Sequence, residues 1–249
     1  MVMNFSKAYS TKQLTRVLEN LNRIVARPDV KDGRKIPSTG SLGIHDGRRL
    51  EATVMFLDIS SFSKIPAWTP EEQETLLRIL SLFFSEMGHI IEDHSGVIEK
   101  NTGDGLMAYF ANEPNDSRTV QHRALHAALT MFYAADNIIN PILAQAQFAP
   151  IKFRICMDHG PITVAKLGAA KRFNGIVAIG TTANIASKML ANADPDTILI
   201  GTKMAEGLPE QWVRNFLSEK TSDSGWFYRE NNLPYKYWEY SGRWKEPQI

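Results

Sequence analysis

The chain has a single cysteine, Cys156, in 249 residues, so disulfides and cysteine-built metal centres within one chain are excluded. It has almost no net charge: 28 lysines and arginines against 27 aspartates and glutamates leave +1. No global field therefore argues for nucleic acid or a membrane surface as partner. No apolar run approaches the roughly 20 residues of a membrane-spanning helix. Met1 to Ser10 lacks a basic-then-apolar export pattern, and there are no internal repeats. These absences suit a cytoplasmic protein. What is present is 43% hydrophobic content, enough for one large domain or one domain with appendages.

The order of elements follows from periodicity and punctuation. Ser10-Thr11-Lys12-Gln13 has the form of a capping box. Leu14, Val17, Leu18, Leu21, Ile24 and Val25 then recur at helical spacing, with Pro28 just beyond. This apolar stripe is expected to pack on its own domain or, failing that, to pair with a second copy. Residues 29–48 read as an irregular linker, which divides the chain into an N-terminal helix and linker, 1–48, and a domain, 49–249. Within that domain, residues 52–58 predict a strand. Thr69-Pro70-Glu71-Glu72 predicts a capped helix running to about Asp93. Residues 97–101 and 106–110 predict a hairpin around Gly103-Asp104-Gly105. A second helix is predicted over 117–139, ahead of Pro141, then a strand from Lys152 to Met157. A short helix from Asn184 to Ala191, a strand from Thr197 to Ile200 and closing strands in the aromatic tail from Trp226 to Tyr240 complete the pattern. Mixed strands, helices and hairpins indicate α+β: an antiparallel sheet with helices on its face.

Two acidic turns carry the chemistry. Asp58 ends the apolar run Val54-Met55-Phe56-Leu57, and Asp104 sits between Ile98-Glu99-Lys100-Asn101 and Leu106-Met107-Ala108-Tyr109-Phe110. A carboxylate leaving a buried strand is costly unless a cation meets it. Two of them at one sheet edge would suit a hard divalent metal and phosphate chemistry. Backbone N–H groups of the turn that follows, Ile59 to Ser63, can cradle phosphate. Other candidates have plainer readings. His159, beside Gly160-Pro161, reads as a turn histidine. His122 and His126, four residues apart on a helix, read as a solvated face, because no glutamate follows His122 as a zinc-protease helix requires. Lys166, Lys171 and Arg172 form a small basic cluster.

Four segments in this order resemble the class III nucleotide cyclases. They are Phe56-Leu57-Asp58-Ile59-Ser60-Ser61-Phe62-Ser63, Lys100-Asn101-Thr102-Gly103-Asp104-Gly105, Arg154 to Pro161, and Gly180 to Lys188, which includes Asn184. The resemblance covers about residues 50–205. It implies a mixed, largely antiparallel sheet with covering helices on a ferredoxin-like core. It also implies two divalent ions, Mn2+ or Mg2+, held by Asp58, Asp104 and the Ile59 carbonyl. Asn184 would orient the ribose and Lys188 would stabilise charge on the α-phosphate. Phe62, Lys100, Val177 and Asn184 would contact the substrate. The sites would be shared in a head-to-tail homodimer, one chain supplying Asp58 and Asp104 and the other Lys100, Asn184 and Lys188.

Lys188 stands where the family has an arginine, keeping the charge but losing the planar fork; Arg172 is a possible compensation. Thr181, Thr182 and Ala183 are smaller than the family's usual residues. Lys100 matches the lysine of adenylate cyclases, but its purine-reading partner aligns with Val177, which cannot accept from an adenine amino group. This combination, with the short N-terminal helix and aromatic tail, is similar to the bacterial pyrimidine cyclases of anti-phage signalling. It implies a pyrimidine nucleotide cyclase that makes cyclic UMP or cyclic CMP for a separate effector protein; a uridylate cyclase acting on UTP is the expectation, since Lys100 can donate to a uracil carbonyl, although it does not by itself select UTP. An adenylate cyclase, or a nucleotide-binding regulatory module without turnover, is the alternative.

Overall fold

The structure, a computed structural model, describes residues 46–114, 116–170, 173–221, 226–227 and 231–245. Before these it describes positions 14–15, 18–19, 21–22, 31–33, 36–37 and 42–44. The core motif is β2 (Gly47–Ile59), α1 (Pro70–Asp93), β3 (Gly96–Asn101), β4 (Gly105–Ala111), α2 (Val120–Ala134) and β5 (Phe153–Ala170). The strands run in the order β3-β4-β2-β5, with β2 antiparallel to both β4 and β5. That is the ferredoxin-like βαββαβ arrangement. Beyond β5 the sheet continues through β7 (Ile198–Gly201), β9 (Lys236–Tyr240) and β8 (Leu217–Thr221). A second hairpin partner, β6 (Phe173–Ile179), and the two-residue β1 (Lys31–Asp32) attach to β5 and β2. The architecture is α+β, mixed and mostly antiparallel; β7 is parallel to β5.

Local chemistry explains the elements. Helix α1 starts on a complete capping box. Thr69 Oγ1 accepts from the Glu72 amide at 3.2 Å, the Glu72 carboxylate accepts from the Thr69 amide at 3.1 Å, and Pro70 fills the first position. Its inward residues Phe83, Met87, Ile90 and Ile91 meet Leu125, Leu129 and Phe132 of α2 and Met55, Leu57 and Phe153 of the sheet in the main core. The opposite sheet face carries α4 (Thr181–Met189), through Ala183, Ala186 and Met189.

The structure corrects three expectations. The helix after Val120 does not end at Pro141. A π-helical turn, Ala135–Ile139, shifts the hydrogen-bond register, so Pro141 falls in the first turn of α3 (Asn140–Gln145), where a missing N–H costs nothing. His159-Gly160-Pro161 is not a turn: β5 runs through it, paired with Thr53, Ala52 and Glu51. Pro161 is tolerated because β5 pairs with β7 only at 155–157 and with β6 only from Thr163, leaving the stretch between open on that side. Finally, Leu14, Leu18 and Leu21 are exposed, so at these positions the N-terminal stripe does not pack on the domain. Val17, Ile24 and Val25 lie outside the described residues, as do Lys171, Arg172 and most of the 29–48 linker.

Candidate active site

Three adjacent strand ends build the acidic edge. Asp58 is opposite Gly105 on β4 and Arg154 on β5. The Ile59 amide donates to the Asp104 carbonyl at 2.8 Å, which ties the end of β2 to the β3–β4 turn. Gly103 (φ 99°) takes the left-handed conformation that turn needs, and its amide donates to Asn101 Oδ1 at 2.6 Å. Gly105 is required for a different reason: a Cβ there would stand 2.6 Å from the Leu57 carbonyl oxygen. The two expected aspartates are thus brought to one edge of the sheet.

Arg154 has no role that the sequence pattern alone assigns, and the structure gives it one. Its Nε and Nη2 donate to Asp58 Oδ2 at 2.9 and 2.7 Å, and its Nη1 donates to the Ala193 carbonyl at 2.9 Å. Only the register of β5 on β2 reveals this partner, because 96 residues separate the pair. The guanidinium is the cation that makes a half-buried Asp58 tolerable. Among the described residues no three His, Cys, Asp or Glu side chains converge as a metal-binding group. Asp58, Asp104 and the Ile59 carbonyl would together offer an all-oxygen donor set, the chemistry a hard divalent ion takes.

The remaining expected residues lie elsewhere. Asn184 and Lys188 are one helical turn apart on the exposed face of α4, whose other face holds Thr182, Ala183, Ala186 and Met189 against the sheet. Lys188 Nζ lies 5.6 Å from the centre of the Trp226 ring. Neither residue has a described contact with Asp58 or Asp104. Lys100 is half-exposed on β3, its Nζ 3.2 Å from Glu99 Oε1. Val177 is on β6, opposite Ala165. Phe62, in the 3-10 turn Phe62–Lys64, packs partly buried against the main core. Behind the Ile59-Ser60-Ser61 turn, an apolar cavity of about 690 Å³ opens between α1 and Pro150-Ile151.

His159 is held inside the sheet, its Nδ1 3.0 Å from the hydroxyl of fully buried Thr53, and burial lowers its pKa. His122 and His126 are not a solvated face. They pack with Trp212 and Trp244 at ring-centre distances of 4.7–5.8 Å, and burial pulls His126 down to about 4.

Asp158 is a further group that sequence reading passed over. It is 4% exposed, accepts a hydrogen bond from the Tyr235 hydroxyl, and burial pushes its pKa up to about 7. Gly201 makes room for it: a Cβ there would come within 2.1 Å of Asp158 Oδ1. A carboxyl raised on folding stabilises the folded state below its unfolded pKa of 3.8 and loses that contribution as pH rises through about 7. We expect urea titrations to show stability declining across that window, by up to about 4 kcal/mol at roughly 1.36 kcal/mol per unit. Asp158→Asn should flatten this decline; an unchanged slope in the variant would disprove the assignment.

The fold is that of the class III cyclases. The crystallised guanylyl cyclase Cya2 superposes with a TM-score of 0.67 at 19% identity, over 82% of this chain and 98% of that one. Residues 45–222 match the adenylate and guanylate cyclase catalytic domain, and the chain belongs to that family. It therefore carries a nucleotide cyclase catalytic domain, in a family that uses divalent metals and binds nucleotide substrates. Curated relatives include an adenylate cyclase of Anabaena cylindrica, 29% identical over 59% of this chain and 28% of its own length. Another is a uridylate cyclase of Rhodovulum sp. (strain MB263), 23% identical over 64% of this chain. The chain spans 66% of the length of that second relative. No described helix is long and apolar enough to cross a membrane.

Proposed function

We propose that the chain is a uridylate cyclase, converting UTP to 3′,5′-cyclic UMP and pyrophosphate at sites shared between two copies. Its product would serve as a messenger to a separate effector in anti-phage defence. The observation that carries the substrate reading is the wall around Lys100. The lysine offers donors only, Val177 offers no polar atom, and the Glu99 carboxylate is shut away from solvent, its side chain 1% exposed, with Oε2 accepting from the Ala178 amide at 2.6 Å and Oε1 facing Lys100 Nζ at 3.2 Å. A uracil carbonyl would be met there by a cation, whereas the amino group of adenine or cytosine would find no exposed acceptor, Glu99 being buried. The uridylate cyclase among the relatives supports this reading, as does the sequence resemblance to pyrimidine cyclases. Lys100 also suits adenine ring nitrogens, which keeps adenylate cyclase as the second reading.

In this reading Asp58, Asp104 and the Ile59 carbonyl would hold two divalent ions, Mn2+ or Mg2+. Bound there, the metal would ease ionisation of the ribose 3′-hydroxyl and offset triphosphate charge. Asn184 of the other chain orients the ribose, so that the 3′-oxygen faces the α-phosphorus. Lys188 stabilises the charge that gathers on the α-phosphate. Arg154, paired with Asp58 at the same edge, would add positive charge beside the phosphates. The 3′-oxygen to phosphorus bond forms as the bond to pyrophosphate breaks.

Incubation with each of the four nucleoside triphosphates and Mn2+ tests the substrate. Cyclic UMP is expected as the dominant product. Cyclic AMP in its place would transfer the assignment to adenylate cyclase. No product from any of the four, with nucleotide still bound, would make the chain a regulatory module.

A further inference from the structure

Glu99 is buried next to the residue that reads the base. Its side chain is 1% exposed on an edge strand, while that of Lys100, the next residue, is 51% exposed. Neighbours on a regular strand face opposite sides. Here the register slips between Ile98 and Lys100, so that Glu99 and Lys100 together oppose Met107. Such a bulge re-aims side chains, and it lets Lys100 Nζ stand 3.2 Å from Glu99 Oε1. Glu99 Oε2 accepts from the Ala178 amide at 2.6 Å, and burial together with the charge of this carboxylate holds the Tyr109 phenol's pKa well above its ordinary value.

The bond to Ala178 is informative because β3 and β6 are not sheet neighbours. The path between them is β3-β4-β2-β5-β6, four strand spacings, or about 19 Å in a flat sheet. A 2.6 Å contact therefore requires the β5–β6 hairpin to leave the sheet plane and fold back over its face. Ile176 and Ala178 do pack there, against a core that includes Val54, Met107 and Tyr109. Glu99 joins the folded-back hairpin, which carries Val177, to the strand that carries Lys100.

We infer that Glu99 is the positioning residue of base recognition: its buried carboxylate holds the Lys100 ammonium and the Val177 wall at a fixed separation, which sets the base the pocket accepts. The inference rests on the proposed role of Lys100 and Val177. Glu99 does not itself touch the substrate. An ammonium has three donors, so Lys100 stays paired with Glu99 while one N–H meets a base carbonyl.

The test measures binding, so it needs no turnover. Affinities of the full-length protein for the four 3′-deoxynucleoside triphosphates, which lack the attacking hydroxyl, are compared with metal present. Glu99→Gln keeps an oxygen for the Ala178 amide but removes the charge that holds Lys100. It should weaken the preferred base about tenfold and the other three by less than about threefold, flattening the preference. In a Lys100→Ala background the same substitution should change discrimination no further, because the two groups act as one unit. Tyr109→Phe, which keeps the core volume, should shift the preference in the same direction by less. Uniform weakening of all four bases, or full additivity with Lys100→Ala, would reduce Glu99 to a structural carboxylate and overturn the inference. So would a wild-type protein that binds all four bases equally, or none. Selective binding that depends on Glu99, without cyclic product, would uphold the inference while removing the cyclase reading.

Discussion

Asp58→Ala should leave a folded protein that cyclises no nucleoside triphosphate, with turnover down by at least about 10³-fold, the scale of several kcal/mol of lost metal assistance. Asp104→Ala should do the same. The two carboxylates have no substitute at this edge, since no third acidic or imidazole side chain converges on them among the described residues. The stability cost should be modest. Asp58 loses its ion pair with Arg154, but the arginine side chain is 28% exposed and keeps the Ala193 carbonyl as acceptor. A loss of about 1 kcal/mol is the scale for a solvent-accessible pair. Asp58→Asn separates the two effects. It retains an oxygen for Arg154 and should be nearly as stable as the parent, yet equally inactive. Thermal melts beside product assays read both quantities. Turnover within tenfold of the parent in Asp58→Asn would end the metal-ligand assignment.

Two inactive proteins should restore activity when mixed. If the site is shared, Asp58→Ala removes one half of it and Asn184→Ala the other. A homodimer of either variant has two broken sites, whereas a mixed dimer has one intact site and one doubly broken site. Random exchange at equal concentrations gives mixed dimers half of the population. Recovery should therefore approach about one quarter of parental activity, from near zero. The geometry motivates the experiment: Asn184 and Lys188 face outward from α4 with no described contact to the acidic edge. Failure to recover after subunit exchange, shown by differently tagged copies co-purifying, would place the whole site in one chain. Absence of any dimer would remove the shared site altogether.

Much of this site was legible because its signals are local. The capping box at Thr69, the Gly103 turn and the apolar runs before Asp58 and after Asp104 fix their elements within a few residues, and each lies where its pattern places it. The parts that escaped are set by register or by relief of a local rule. Arg154 carries meaning only through its alignment with Asp58 across two strands. Pro141 and Pro161 look like terminators. A π turn rescues one and an unpaired strand side the other, and neither device has a signature in the proline's own type. β6 was missed because Phe173 to Ile179 is a short run beside a basic cluster, and its partner is the far half of a strand that seemed to end at Met157. The histidines of α2 were misplaced for a similar reason: Trp212 and Trp244, which cover them, arrive from far along the chain.

The length of the β2–β5 ladder also bears on how the protein is made. Thirteen consecutive pairs join Gly47–Ile59 to residues 153–165. Contacts so distant in sequence are slow to form, since the loop-closure entropy is lost before the pairs can repay it. The α1 and β3–β4 segments can assemble from neighbouring sequence while the chain is still emerging. Asp58 and Arg154 meet only after β5 has been synthesised and has zipped onto β2. A nascent or truncated chain that ends before Phe153 thus carries both acidic turns without the strand that completes their edge, and competence for nucleotide chemistry comes with closure of the whole sheet.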